Sequence, residues 1–218
     1  VSYRRSLVRP QFDVIFADLG MSSPHVDDPE RGFSYRFDAP LDLRFDRTSG
    51  WTAAKYIQSV SEETLIEDLR NFGELRSAPR IARSLQKKKP ETTTDVVSSV
   101  EFVMGFRAKS VLPQLFQALR IAVNRELDAL ATLLQHGPHL LKKGGRMGVI
   151  SFHSLEDRMV KKSFKALSTP IKDEMTGSVT EEATFSLLTK KPIKPSEEEV
   201  KENVRSRSAL LRGIQRIH

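Results

Sequence analysis

The sequence contains no cysteine, which excludes disulfides and thiolate metal sites and fits a reducing compartment. It has no run of 18 apolar residues, so nothing in it reads as a membrane span. Gly-x-Gly-x-x-Gly, the P-loop and the Gly-x-Ser-x-Gly nucleophile elbow are all missing, as is any internal repeat. No secretory signal is visible at Val1, and a first residue other than Met reads as a trimmed or incomplete chain. Negative charge is in short supply. Thirty-five Lys and Arg stand against 28 Asp and Glu, a net charge of +7, which favours a polyanionic partner, nucleic acid first. The 218 residues suffice for a sizeable core and fit one domain with an insertion or two small domains.

What is present begins with Phe12-Asp13-Val14-Ile15-Phe16-Ala17-Asp18, an apolar run that ends in a carboxylate and breaks into Leu19-Gly20-Met21-Ser22-Ser23-Pro24. Such a run reads as a strand buried on both faces of a parallel sheet. Ligands of these sheets sit beyond the carboxyl ends of the strands, where Asp18 stands as either a turn cap or a ligand. The loop from Asp18 to Gly50 carries Phe33, Tyr35, Phe37 and Phe45, too many aromatics for a disordered segment. Residues 51–108 read as helical. Ser61 starts one helix that stops at Gly73, and Ser77 caps the next, with Pro79 in its first turn and Lys87-Lys88-Lys89-Pro90 at its end. On that helix Arg76, Arg80, Arg83 and Lys87 share a face opposite Ala78, Ile81, Ala82 and Leu85. Thr94 opens a third helix, to Met104. Ser110 and Pro113 open the longest, to about His136, along an apolar stripe from Leu115 to Leu134. Lys142–Gly145 reads as a turn and Arg146–Phe152 as a second buried strand. Ser154 is expected as the cap of the helix that follows, with Asp157 at its capping-box position. Residues 168–202 read as a polar variable loop. The alternation predicts an α/β, doubly wound core interrupted by helices: residues 1–50 and 111–218 form the core and 51–110 an inserted helical subdomain.

Four clusters carry candidate chemistry: Asp18 with Ser22-Ser23-Pro24; Glu30-Arg31-Gly32-Phe33-Ser34 with Pro40-Leu41-Asp42-Leu43-Arg44; Ser151-Phe152-His153-Ser154-Leu155-Glu156-Asp157-Arg158; and the basic stretch Asn203–Arg212. Singly each is ambiguous, and His153 with Glu156 offers too few ligands for a metal site. Together with Phe116-Gln117-Ala118-Leu119-Arg120-Ile121, Asn124, Glu126-Leu127 and Gly144-Gly145-Arg146, they resemble the family of ribosomal RNA cytosine-N4 methyltransferases called RsmH or MraW in bacteria, which has a mitochondrial counterpart.

The resemblance implies a Rossmann-like class I methyltransferase core with an inserted helical subdomain. It further implies S-adenosylmethionine as methyl donor and a cytosine of small-subunit ribosomal RNA, free or in the assembled subunit, as target. By that likeness Asp18 contacts the cofactor, as does His25, where the family more often has glutamine. Family members also carry, upstream of the Phe12 strand, a Gly-Gly-His cofactor loop and an acidic residue that reads the cofactor's ribose. Val1 to Gln11 contain neither, so either the N-terminal portion is outside this chain or half of the cofactor pocket is lost. Pro79 stands where a basic residue is common. For the transfer itself, Ser22 and Ser23 are expected to hold the cytosine amine, with His153 or a water taking up its proton. Phe33, Tyr35 or Phe37 is expected to stack the unstacked base. Arg31, Arg44, Arg205 and Arg207 are expected on phosphates, Arg31 alternatively pairing with Asp28 or Asp42. Two other functions remain open, a DNA amino-methyltransferase and a non-catalytic ribosome-binding module. Bacterial cytoplasm is the expected compartment, mitochondrial matrix the alternative; membrane and metal are not expected.

Overall fold

Apolar alternation and capping chemistry divide the chain into short, well-marked elements. Strand β1 (Phe12–Asp18) leads into a loop holding one short helix, α1 (Ser23–Asp27). Five helices follow: α2 (Ala53–Ser59), α3 (Glu62–Gly73), α4 (Ala78–Lys88), α5 (Thr93–Met104) and α6 (Ala108–Asn124). After them come α7 (Glu126–His136), β2 (Leu141–Ser151) and α8 (Ser154–Leu167). The chain closes with a small hairpin, β3 (Ile171–Lys172) and β4 (Val179–Glu181), then β5 (Phe185–Leu187), α9 (Glu197–Glu202) and β6 (Leu210–Arg216). This computed structural model describes residues 11–48, 50–173 and 175–218. No helix among them is long and apolar enough to cross a membrane.

The chain forms two compact units. One joins the segment ending at Gly20 to Leu127–His218, and the other is Met21–Glu126. In the first, the sheet order is β1-β2-β6-β5. β1 and β2 run parallel, with Val14 opposite Arg146 and Asp18 opposite Ile150. β6 is antiparallel to β2, and β5 antiparallel to β6. Leu130 and Leu134 of α7 and Val160 and Phe164 of α8 pack with Met147, Val149, Phe185 and Ile214 of the sheet. Arg212 of β6 fixes α8 through a forked pair with Asp157, Nε–Oδ1 2.7 Å and Nη2–Oδ2 3.0 Å. Both strands read as buried on two faces, but Phe12, Val14 and Phe16 of β1 are exposed, Val14 to 64%. On β2 burial alternates from Met147 onward. Among the described residues, only one face of this sheet is fully packed.

The helical unit has its own core, built from Ile57, Leu65, Leu69, Ile81, Leu85, Val96, Leu115 and Leu119. The loop before it is ordered, as its aromatics predicted. Phe33, Leu41 and Leu43 are buried in the helical core. Thr93 Oγ1 donates to Phe37 O at 2.6 Å and accepts from Ala39 N–H. Asn124 closes the other end, accepting from Phe45 N–H and donating to Leu43 O, both at 2.7 Å. Residues 21–50 and 111–126, assigned from the sequence to the core, therefore sit with the helices. Their buried side chains decide it.

Several element ends move. Ser61 caps α3 as expected, accepting from Thr64 N–H, but the left-handed residue behind Gly73 is Glu74. Ser77 holds the cap position of α4 without a side-chain cap bond. Thr92, not Thr94, caps α5, in a reciprocal box with Asp95. The long helix is two: Arg125 takes a left-handed conformation (φ 50°), and Pro113 lies inside α6. The stripe continues through Leu127, Leu130 and Leu134, so periodicity hides the break. β2 starts at Leu141 and absorbs the turn expected at Lys142–Gly145, with an irregular register near Phe12 and Val14. The variable loop contains β3, β4, β5 and α9.

Candidate functional site

In the sheet unit, β1 and β2 are parallel neighbours, so their carboxyl ends share one edge of the sheet. Asp18 closes β1 there, opposite Ile150, and the next amide, Leu19 N–H, donates to Ile150 O at 3.1 Å. The Asp18 carboxylate is exposed, and no side chain among the described residues pairs with it. An open acceptor at this place suits the hydrogen-bond donors of a bound ligand.

From the end of β2 the chain passes through Phe152 and His153 into α8. Here the helix start expected at Ser154 and Asp157 is built from His153 and Glu156 instead. His153 Nδ1 accepts from Glu156 N–H at 3.4 Å. Glu156 Oε2 accepts from Phe152 N–H at 2.8 Å and His153 N–H at 3.4 Å. Glu156 is buried. With Nδ1 accepting, the ring proton sits on Nε2, 3.3 Å from Glu156 Oε1 and out of line for a hydrogen bond. The lone pair that a proton acceptor would use is thus turned to a helix N-terminus. A proton-accepting role for His153 would require this cap to open.

In the helical unit, Ser22 is the N-cap of α1 and Ser23 its first residue. His25 Nδ1 accepts from Ser22 N–H at 3.1 Å and lies 2.8 Å from Ser22 Oγ. The Ser22 hydroxyl is therefore engaged, whereas that of Ser23 has no partner among the described residues. The His25 ring packs against Phe33 and Phe45, with centroids 5.6 and 5.1 Å away. Burial, with the Arg31 charge beside it, holds the His25 pKa below its ordinary value, so the ring stays neutral at neutral pH.

Phe33 and Tyr35 come together at a cavity of about 240 Å³, lined also by Leu43, Phe116, Gln117 and Arg120. Tyr35 and Phe116 meet at 5.3 Å in a tilted pair. Gln117 Nε2 donates to Phe72 O, and its amide oxygen has no partner among the described residues. Arg120 is held by Glu126 through two bonds, at 2.8 and 3.0 Å. Phe37, the third candidate for stacking, is exposed and lies outside the cavity.

The two loop arginines are tied down. Arg31 Nη2 donates to Arg44 O at 2.7 Å and Phe45 O at 3.0 Å, and it pairs with neither Asp28 nor Asp42. Arg44 forks onto buried Asp42, Nε–Oδ1 2.7 Å and Nη2–Oδ2 3.1 Å. Burial alone would raise the Asp42 pKa, but hydrogen bonds from Arg44 and the charges of Arg44 and Arg47 bring it below its ordinary value. Both arginines brace the loop. Arg205 and Arg207 lie exposed in a 3-10 turn, Val204–Ser208, around buried Ser206. Sequence reasoning missed Asn124, Glu156 and the Asp157–Arg212 pair as the residues that hold these loops and strands. All four belong to the clusters quoted above, and only their partners, distant or turned back on the backbone, were invisible.

The chain matches the model described as the MraW methylase family over residues 3–217. It is 46% identical over 210 residues to the ribosomal RNA small subunit methyltransferase H of Cyanothece sp. strain PCC 7425, covering 95% of this chain and 66% of that protein. The protein of the same name from Acaryochloris marina is 46% identical over 214 residues, with the same coverage. That from Hydrogenovibrio crunogenus is 44% identical over 216 residues, with 68% of its length covered. The chain spans just under two thirds of the length of the first two of these relatives.

Proposed function

This chain belongs to the MraW methylase family, and we propose that it serves methyl transfer to N4 of a cytosine in small-subunit ribosomal RNA. What most supports the reading is the open Asp18 carboxylate at the carboxyl edge of a parallel strand pair, in a chain whose relatives are named for small-subunit RNA methylation. S-adenosylmethionine, the usual donor of such enzymes, supplies an electrophilic methyl group when bound. Asp18 fits it, as an exposed acceptor with no side-chain partner among the described residues.

The cytosine amine is a weak nucleophile because its lone pair is delocalised into the ring, so alignment carries most of the catalysis. The Ser23 hydroxyl accepts one amine hydrogen and holds the nitrogen lone pair toward the methyl group. Ser22, already engaged with His25, fixes the turn in which Ser23 sits. Once methylated, the nitrogen bears an acidic proton that leaves to water without a strong base. An unstacked base finds flat walls in Phe33, Tyr35 and Phe116, where stacking contributes about 1–3 kcal/mol. The Gln117 amide oxygen is an acceptor suited to a base edge.

The test is tritium transfer from labelled S-adenosylmethionine to small ribosomal subunits, followed by nucleoside analysis. Label should appear in N4-methylcytidine, and Ser23→Ala should slow its appearance at least tenfold. Label in another nucleoside, or in none, overturns the reading. Asp18→Asn should weaken S-adenosylmethionine binding by about tenfold in calorimetry, the cost of a charged hydrogen bond.

A further inference from the structure

Away from the strand edge and the aromatic cavity, the sheet unit has a small basic pocket. Lys161 and Lys165 stand one helical turn apart on α8 and, with Lys190 and Arg212, line a cavity of about 90 Å³ walled by Phe164 and Leu187. That volume holds about three water molecules, which is room for a single phosphate group and too little for a nucleotide. Thr189 also lines it, and its Oγ1 is buried with no hydrogen-bond partner. Arg212 is neutralised by Asp157. No carboxylate among the described residues pairs with Lys161, Lys165 or Lys190, and none lines the cavity. Three lysines without a carboxylate partner and an unsatisfied buried hydroxyl lining one cavity make a place for an anion with several acceptor oxygens. Lys191 and Lys194 follow Lys190 in the sequence, so the segment that enters the pocket is itself basic.

We propose that this pocket binds one phosphodiester of the RNA backbone, with Lys161, Lys165 and Lys190 around the phosphate and Thr189 Oγ1 donating to one of its oxygens. The proposal rests on the RNA reading above and extends it: the contact is independent of base identity and anchors the strand apart from the base cavity.

The experiment is fluorescence anisotropy of the 218-residue chain with a labelled single-stranded RNA oligonucleotide over a series of potassium chloride concentrations. Wild type should bind with a log–log salt slope that becomes shallower by about 0.7 in K161A/K165A/K190A, since one phosphate contact contributes about 0.7 on single strands. A control of equal charge, K55A/K109A/K172A, should keep most of the wild-type slope. Thr189→Val, which keeps the shape and removes the donor, should weaken binding several-fold with the slope unchanged. A wild-type slope in the pocket triple variant, or an equal loss in the control, overturns the pocket while leaving RNA binding intact. A wild-type chain that binds no RNA overturns the RNA reading and the pocket with it.

Discussion

Gly32 sits in a left-handed turn (φ 70°), and a Cβ there would lie 2.3 Å from the carbonyl oxygen of Pro40. Neither the backbone angle nor the space admits a side chain. Gly32→Ala should therefore cost about 3 kcal/mol or more, the combined cost of a left-handed Ala and an overpacked contact, as read from urea unfolding. His25 carries a second effect. Its pKa is below the ordinary 6.5, so as pH falls past that value the unfolded chain takes the proton before the folded one does. Stability is then complete above pH 6.5 and declines through the range below it. His25→Gln keeps an acceptor for Ser22 N–H and removes the titration, so its melting temperature should fall less than that of wild type between neutral pH and pH about 5. Equal falls in both proteins would refute the assignment. At this scale the sequence was readable as residue types and only partly as roles. Asp18 at a strand end followed from one apolar run. The use of His153 did not, because its Nδ1 serves the helix that the residue itself begins.

The helices show what periodicity reports and what it hides. The apolar spacing of α3 and the Ser61 cap were legible because both are local. Gly73 was legible as a stop, yet its main role is to let α6 approach: a Cβ would come within 2.9 Å of Gln114 O and 3.2 Å of Ala118 Cβ. Gly73→Ala gains about 1 kcal/mol of helix propensity but forces these helices apart, and a net loss of about 1–2 kcal/mol is expected by chemical denaturation. Thr92→Ala removes the cap of α5 and should cost about 1 kcal/mol, with the helix start fraying in amide exchange. β6 escaped notice because its first residues, Leu210-Leu211-Arg212, fall in the basic stretch Asn203–Arg212. In the fold its Arg212 charge is spent on Asp157, 55 residues earlier, and long-range pairing of this kind leaves no periodic trace.

On the scale of the whole molecule, the α/β class, the helical insertion and the family were all readable, because motif order survives without knowledge of contacts. The unit boundaries were not, since they depend on which core buries Phe33, Leu41, Leu43, Leu115 and Leu119. That core lies within one uninterrupted stretch of chain. Residues 21–126 expressed alone should accordingly be helical by circular dichroism and melt in one cooperative transition; a broad, non-cooperative melt would show that this core does not suffice. The sheet unit has no such independence, because β1 and its partner β2 are separated in sequence by the entire helical unit. During synthesis at ~5–20 residues per second, the helices are complete before Leu141 is made, and β1 waits roughly 6 to 25 seconds for β2. For that interval Val14 to Asp18 lack the β2 partner they have in the fold, so nascent β1 is a strand that a chaperone on the ribosome would cover.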